Sequence, residues 1–195
     1  MSASAITSLV PSLRRMAAAL SLGLVVASAA LAGSKGSQPV TFASYESAVP
    51  KAWLAEKPSS AMRAAQYRVL GADPDDAAEF VVFYFGPNQG GTIEDNITRW
   101  ASQFSTAEGG RVEPVVKRSK VRDFAVTTAE LRGSYARNVG VGQQGEAKPN
   151  QALLAGIVET PNGNIFVQLH GPAATVDAGR DGFENFIEGI RAAKQ

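Results

Sequence analysis

Residues 78–104 read Ala78-Glu-Phe-Val-Val-Phe-Tyr-Phe-Gly-Pro-Asn-Gln-Gly-Gly-Thr-Ile-Glu-Asp-Asn-Ile-Thr-Arg-Trp-Ala-Ser-Gln-Phe104. The unbroken apolar and aromatic run from Phe80 to Phe85 predicts a strand covered on both faces, because a half-exposed strand would alternate. Gly86-Pro-Asn-Gln-Gly-Gly91 follows as a tight turn. Thr92 is a good helix N-cap, and Asp95 completes a capping-box variant. Ile93, Ile97, Trp100, Ala101 and Phe104 recur at helical spacing, so an amphipathic helix is expected over about 93–105. A strand, a glycine turn and a helix in one run form the framework of an α/β or α+β layer. The turn is the first place to look for a ligand.

Working outward from this run, residues 61–70 fit strand or helix, and the turn-rich Gly71–Asp76 that follows favours a strand. Upstream, Trp53 lies in an extended segment and seeks the core. Downstream, residues 111–122 are locally basic, and 124–135 read as a long half-exposed strand. Residues 136–150 read as a long surface loop. Residues 151–159 and 164–170 form a hairpin around Thr160-Pro-Asn-Gly163, which Gly171-Pro172 ends. Phe183, Phe186, Ile187 and Ile190 give a C-terminal helix one core-facing stripe. Consecutive strands joined by short turns predict an α+β domain, an antiparallel β-sheet packed against two main helices, rather than a doubly wound fold.

The first 32 residues stand apart. Arg14 and Arg15 precede an uncharged apolar run from Met16 that ends in Ala30-Leu-Ala32, the pattern of a secretory signal with a small-x-small cleavage site. The run is shorter than the ~20 residues that span a bilayer, so no membrane span is expected after cleavage. Leu31-Ala-Gly-Ser34 resembles a lipoprotein signal with Ser34 where the lipid-bearing cysteine would stand, and a serine accepts no thioether-linked lipid. The expected organisation is a signal peptide at 1–32, a flexible leader at 33–40 and one α+β domain at 41–195. Its expected place is periplasmic or extracellular.

Removing residues 1–32 takes Arg14 and Arg15 from the 19 basic residues and none from the 18 acidic ones, so the net charge falls from +1 to −1. A near-neutral chain gives no electrostatic reason to bind nucleic acid. With no cysteine, an exported domain must rely on its hydrophobic core, and residues 33–195 are enough to bury about 70% of the unfolded surface.

Trp53, Met62-Arg-Ala-Ala-Gln-Tyr67, Tyr84-Phe-Gly86, Gln89-Gly-Gly91, Asn96-Ile-Thr-Arg-Trp100 and Gln103-Phe104 together resemble a set of uncharacterised exported bacterial proteins. Leu131-Arg-Gly-Ser-Tyr135, Leu153-Leu154 and His170-Gly-Pro172 fit the same pattern. The element order is similar to the PsbP-like fold, shared by the extrinsic photosystem II subunit and by a Ran-binding import factor. The resemblance spans about residues 42–190 and implies an accessory or binding domain without established catalysis. Nothing in the chain ties it to photosynthesis.

The chemistry-bearing residues agree with binding rather than reaction. The Gly86–Gly91 turn lacks the Gly-Lys-Ser/Thr ending of a P-loop, and Glu94 and Asp95 already complement the helix N-terminus. His170 is the single histidine and no G-x-S-x-G elbow accompanies it. One histidine and no thiolate make a zinc site unexpected; Asp73, Asp75 and Asp76 read as a solvated turn, and no cofactor is expected. Gln89, Asn96 and Arg99, on the turn and the polar helix face, are the candidate ligand-binding residues. Arg118, Lys120 and Arg122 would share one strand face and could meet lipid headgroups or an acidic partner such as an envelope protein. The sequence therefore points to an exported, non-catalytic binding or accessory domain of the cell envelope. One alternative is a small hydrolase or ligand-binding enzyme with a carboxylate site drawn from Glu94, Asp95 or Glu130. Another is a structural domain that pairs through an exposed strand edge.

Overall fold

The chain divides into two units, Met1–Ala32 and Gly33–Gln195. In the computed structural model the described residues are Met1, 36–136, 138–140 and 143–193, with backbone alone for 138–140 and 143–144. The signal peptide expected at 1–32 therefore lies outside the described residues apart from Met1, and the fold is that of the second unit.

A hairpin of β1 (Ser37–Phe42) and β2 (Tyr45–Pro50) opens the fold. Strand β1 takes in part of the segment 33–40 that composition marks as a leader. After β3 (Leu54–Ala55) come β4 (Arg63–Val69) and β5 (Ala78–Tyr84). Helix α1 covers Ile93–Ala101 and β6 is Phe104–Ser105. Strands β7 (Val115–Val121) and β8 (Phe124–Tyr135) form a second hairpin. The stretch expected to be a loop instead holds a small ladder of β9 (Asn138–Gly140) and β10 (Gln143–Gln144). Strands β11 (Lys148–Glu159) and β12 (Ile165–Pro172) form the central hairpin. Helices α2 (Ala173–Ala178) and α3 (Arg180–Gly189) and strand β13 (Arg191–Ala192) complete the chain.

The main sheet runs β3-β4-β5-β12-β11-β8-β6, with β7 also on β8, and its pairings are antiparallel. Strand β13 adds to β2, making a small sheet β1-β2-β13. The run Phe80–Tyr84 is central as its composition requires, lying between β4 and β12.

The expected antiparallel sheet with packed helices is present, with a third short helix, and both faces of the sheet are covered. On one face, Phe80, Val82, Leu154, Val158, Val167 and Leu169 pack beneath α2, α3 and the small sheet. On the other, Leu131, Leu153, Ala155, Ile157 and Phe166 pack beneath Trp100 and Ile97 of α1. The alternation of β11 and β12 sends odd and even residues to opposite cores, and this is why these strands read as continuous apolar runs. The stripe of α3 is buried as its spacing predicts, with Phe183, Phe186, Ile187 and Ile190 between 0% and 4% exposed.

Helix α1 starts where its cap predicts: the Asp95 amide donates to Thr92 Oγ1 at 3.1 Å. It ends at Ala101, earlier than periodicity suggests, because Phe104 reaches the same core from β6, paired with Tyr135. Among the described residues no helix is long and apolar enough to cross a membrane.

Candidate binding groove

A nine-residue helix is about 13 Å long, whereas the twelve-residue β11 is about 40 Å long. Helix α1 therefore covers only part of its face, and the chemistry of the strands changes where the cover stops. Along β12 the residues on this face run Phe166, Gln168, His170; along β11, Ile157, Ala155, Leu153, Gln151; along β5, Phe83, Val81, Glu79. The apolar ends lie under α1. The polar ends floor an open groove of about 700 Å³.

The walls of the groove come from several elements. Arg99, Trp100 and Gln103 stand at the C-terminal end of α1; Asp75 and Asp76 come from the connection between β4 and β5, and Glu146 and Lys148 from the approach to β11. The Tyr135 ring lies 4.1 Å from the His170 ring, and Phe104 stands 5.2 Å and 6.2 Å from these two, so the histidine is held in an aromatic corner.

A β-bulge supplies the arginine of the floor. The register of β4 on β5 shifts between Arg63 and Ala65, which turns Arg63 away from the core side that Ala65, Tyr67 and Val69 share. Simple alternation would have placed Arg63 with those residues. Instead its guanidinium donates to Glu79 Oε1 at 2.6 Å and Gln66 Oε1 at 3.1 Å, and stands 5.6 Å from the Phe83 ring centroid. Gln66, itself buried, passes the chain on to Glu56 at 3.0 Å.

Of the residues singled out from the sequence, Arg99 lines the groove, and Asn96 holds it there. Asn96 is 1% exposed; its amide donates to the carbonyls of Gly90 at 2.7 Å and Thr92 at 2.8 Å, and its oxygen accepts from Arg99 Nη2 at 2.5 Å. Gln89 is exposed on the Gly86–Gly91 turn and does not line the groove. The turn thus serves mainly to join strand to helix.

The basic residues lie elsewhere, on β7. Arg118 and Lys120 pair with Thr127 and Ala125 and so share one face, where Arg118 meets Glu94 at 3.3 Å with both side chains more than 70% exposed. Such a pair contributes little. Arg122 does not share that face: the strand ends at Val121 and Arg122 occupies the turn with φ +54°.

The carboxylates of the hydrolase alternative do not converge. Glu94 and Asp95 belong to α1, whereas Glu130 lies across the sheet beside α3. There Arg180 Nη2 and Arg132 Nε donate to Glu130 at 2.9 Å and 2.7 Å, and Arg132 also forks onto Asp177. Burial pushes the Glu130 carboxyl up, but the hydrogen bonds and charges of Arg180 and Arg132 outweigh it and hold the group below its ordinary range. That is the wrong direction for a general acid. Among the described residues no group of three or more metal-ligating side chains is assembled.

This network sets a pH dependence. A carboxyl whose folded pKa is depressed contributes its full stabilisation above the unfolded value of about 4.3 and loses it as pH falls through the folded value. Glu130→Gln is expected to cost about 1 kcal/mol at pH 7, discounted because Arg132 is 43% exposed. Denaturant titrations should show that difference shrinking as pH falls below about 4. A difference that stays constant from pH 7 to pH 3 would rule the ionic origin out.

The fold as a whole aligns with a solved structure. The solution structure of cyanobacterial PsbP (CyanoP) from Synechocystis sp. PCC 6803 aligns over 86% of this chain and 99% of its own, with a TM-score of 0.53 at 15% identity. The fold is PsbP-like. Two further structures align with this PsbP-like chain at lower TM-scores. PA94 of Pseudomonas aeruginosa, of unknown function, scores 0.46 at 12% identity over 82% of this chain and 99% of its own. LpqN of Mycobacterium tuberculosis, involved in cell envelope biogenesis, scores 0.48 at 14% identity over 83% and 87%. No protein-family description and no curated protein matches the sequence. At such identities the likeness concerns the fold alone.

The rest of the groove was missed in the sequence. Gln168 and His170 carried a signal: they share a face with Phe166 on an otherwise apolar strand. Arg63, Glu79, Gln151 and Lys148 carried none, because sheet order and a bulge bring them together.

Proposed function

We propose that this chain is an exported, non-catalytic accessory domain of the bacterial cell envelope that binds a small polar ligand in the groove beside α1. The observation that carries the proposal is the uncovered end of the sheet, where Gln151, Gln168, His170 and Glu79 face a space of about 700 Å³. Pockets that hold small molecules occupy about 300–1,000 Å³ and offer a few convergent polar groups beside apolar walls. Here Trp100, Phe83 and Leu153 supply the apolar surface. Export is supported by the basic and apolar pattern of residues 14–32 and its Ala30-Leu-Ala32 ending. Binding is favoured over reaction because the floor carboxylate Glu79 is tied to Arg63 and the histidine is packed among aromatic rings.

A thermal-shift screen of small saccharides, amino acids and organic acids tests this. A ligand present at 100 times its Kd adds about 2.7 kcal/mol, which raises Tm by roughly 5–10 °C in a domain of this size. Gln151→Leu combined with Gln168→Leu should abolish the shift. Protection unchanged in that variant would place binding elsewhere, and turnover of a compound that depends on Glu79 would overturn the non-catalytic assignment.

A further inference from the structure

The groove carries one arginine whose setting differs from that of the ion-paired arginines of the fold. Arg63, Arg132, Arg180 and Arg191 each close on a carboxylate. Arg99 closes on a neutral amide, and it takes part in none of the ion pairs among the described residues. Its anchor cannot swing: Asn96 is buried and both its donors are engaged by backbone carbonyls. The bond to Asn96 thus orients the exposed guanidinium, and no carboxylate closes on it among the described residues. A guanidinium has five donors in a planar fork, and one bond to Asn96 leaves an edge that fits a carboxylate bidentately.

From this we infer that Arg99, positioned by Asn96, anchors a carboxylate group of the groove's ligand, with Lys148 as a second cation lining the same groove. The inference rests on the groove being the binding site. Asp75, Asp76, Glu79 and Glu146 also line the groove, and they disfavour a doubly charged phosphate more than a singly charged carboxylate. Arg63 offers no comparable subsite, since Glu79 already neutralises it at 2.6 Å.

The test compares N-acetyl-tyrosine with its amide, two probes that differ only in the charged terminus. Binding to the full chain is followed by NMR through the Trp100 indole and the side-chain amides of Gln151 and Gln168. The acid is expected to bind at least tenfold more tightly than the amide. Arg99→Gln should erase that preference while the chain still unfolds in one cooperative transition, with a Tm loss of no more than about 8 °C for the Asn96 oxygen left without its donor, and Arg99→Lys should restore only part of it. Equal binding of acid and amide by the parent chain, or an intact preference in Arg99→Gln, would overturn the carboxylate anchor and leave the groove standing. If neither probe moves a groove resonance, the groove itself fails as a binding site and the inference fails with it.

Discussion

Truncating Phe186 to alanine is expected to remove about 4 kcal/mol of stability, a large fraction of the roughly 5–15 kcal/mol that holds a domain folded. Phe186 is fully buried on α3, and its ring stacks on Phe42 at 5.6 Å and meets Phe80 edge-on at 5.0 Å. Phe42 belongs to the small sheet and Phe80 to the main sheet, so one ring joins three layers. Removing it costs the transfer free energy of the ring, a cavity in a tightly packed interior, and two aromatic pairs of about 1 kcal/mol each. The Ser47 hydroxyl, which donates to the Phe186 carbonyl at 2.6 Å, survives the substitution, so the loss reports the ring. Urea unfolding should show a lower midpoint with an unchanged m-value. If Phe186→Ala proves too unstable to isolate, Phe186→Leu should still fold with a loss of about 1.5 kcal/mol. A loss below about 1 kcal/mol in Phe186→Ala would mean that the two sheets do not share a core at this ring.

The elements that could be read from the sequence are those whose signal is local. The run Phe80–Phe85, the Thr92 cap, the hairpin around Pro161-Asn-Gly163 and the stripe of α3 each declare themselves within about a dozen residues. Features set by distant partners could not be read. Strand β13 exists because Arg191 and Ala192 find Glu46 and Tyr45, and neither segment signals the other. Strand β1 hides in a Gly-Ser-Lys-Gly-Ser-Gln-Pro composition typical of a linker. The tight turns at Ala43 and Arg122 adopt positive φ without glycine, so the usual hairpin marker is missing. Gly171-Pro172 ends β12 as its composition predicts, but the short helix α2 that starts at once behind Pro172 gave no periodic signal of its own. The site divides in the same way. Arg99 was visible as a cation on a polar helix face. Its meeting with Gln168, His170 and Lys148 depends on sheet order, and the arginine at 63 faces the groove only because one bulge reverses the alternation of β4.

The turn between β5 and α1 yields the second large effect, and it connects packing to the site. Gly90→Ala is expected to cost about 3 kcal/mol, against about 1 kcal/mol for Gly86→Ala. Both glycines hold nearly the same strained backbone, with φ +95° and +96°, so the conformational penalty for a Cβ is shared. Their surroundings differ. A Cβ on Gly86 would meet nothing within 4 Å, whereas one on Gly90 would stand 2.6 Å and 2.7 Å from carbons of the Phe166 ring and 3.0 Å from Phe85. Phe166 is 1% exposed in the core beneath α1 and cannot withdraw without displacing its neighbours. The Gly90 carbonyl also accepts the Asn96 amide at 2.7 Å. A backbone shift at Gly90 therefore moves the group that aims Arg99, and Gly90→Ala should weaken the preference for the acid probe as well as the fold. Gly86→Ala should leave that preference intact. Equal losses of stability in the two variants would show that Phe166 yields to the added methyl, and an unchanged acid preference in Gly90→Ala would show that the turn does not set the direction of Arg99.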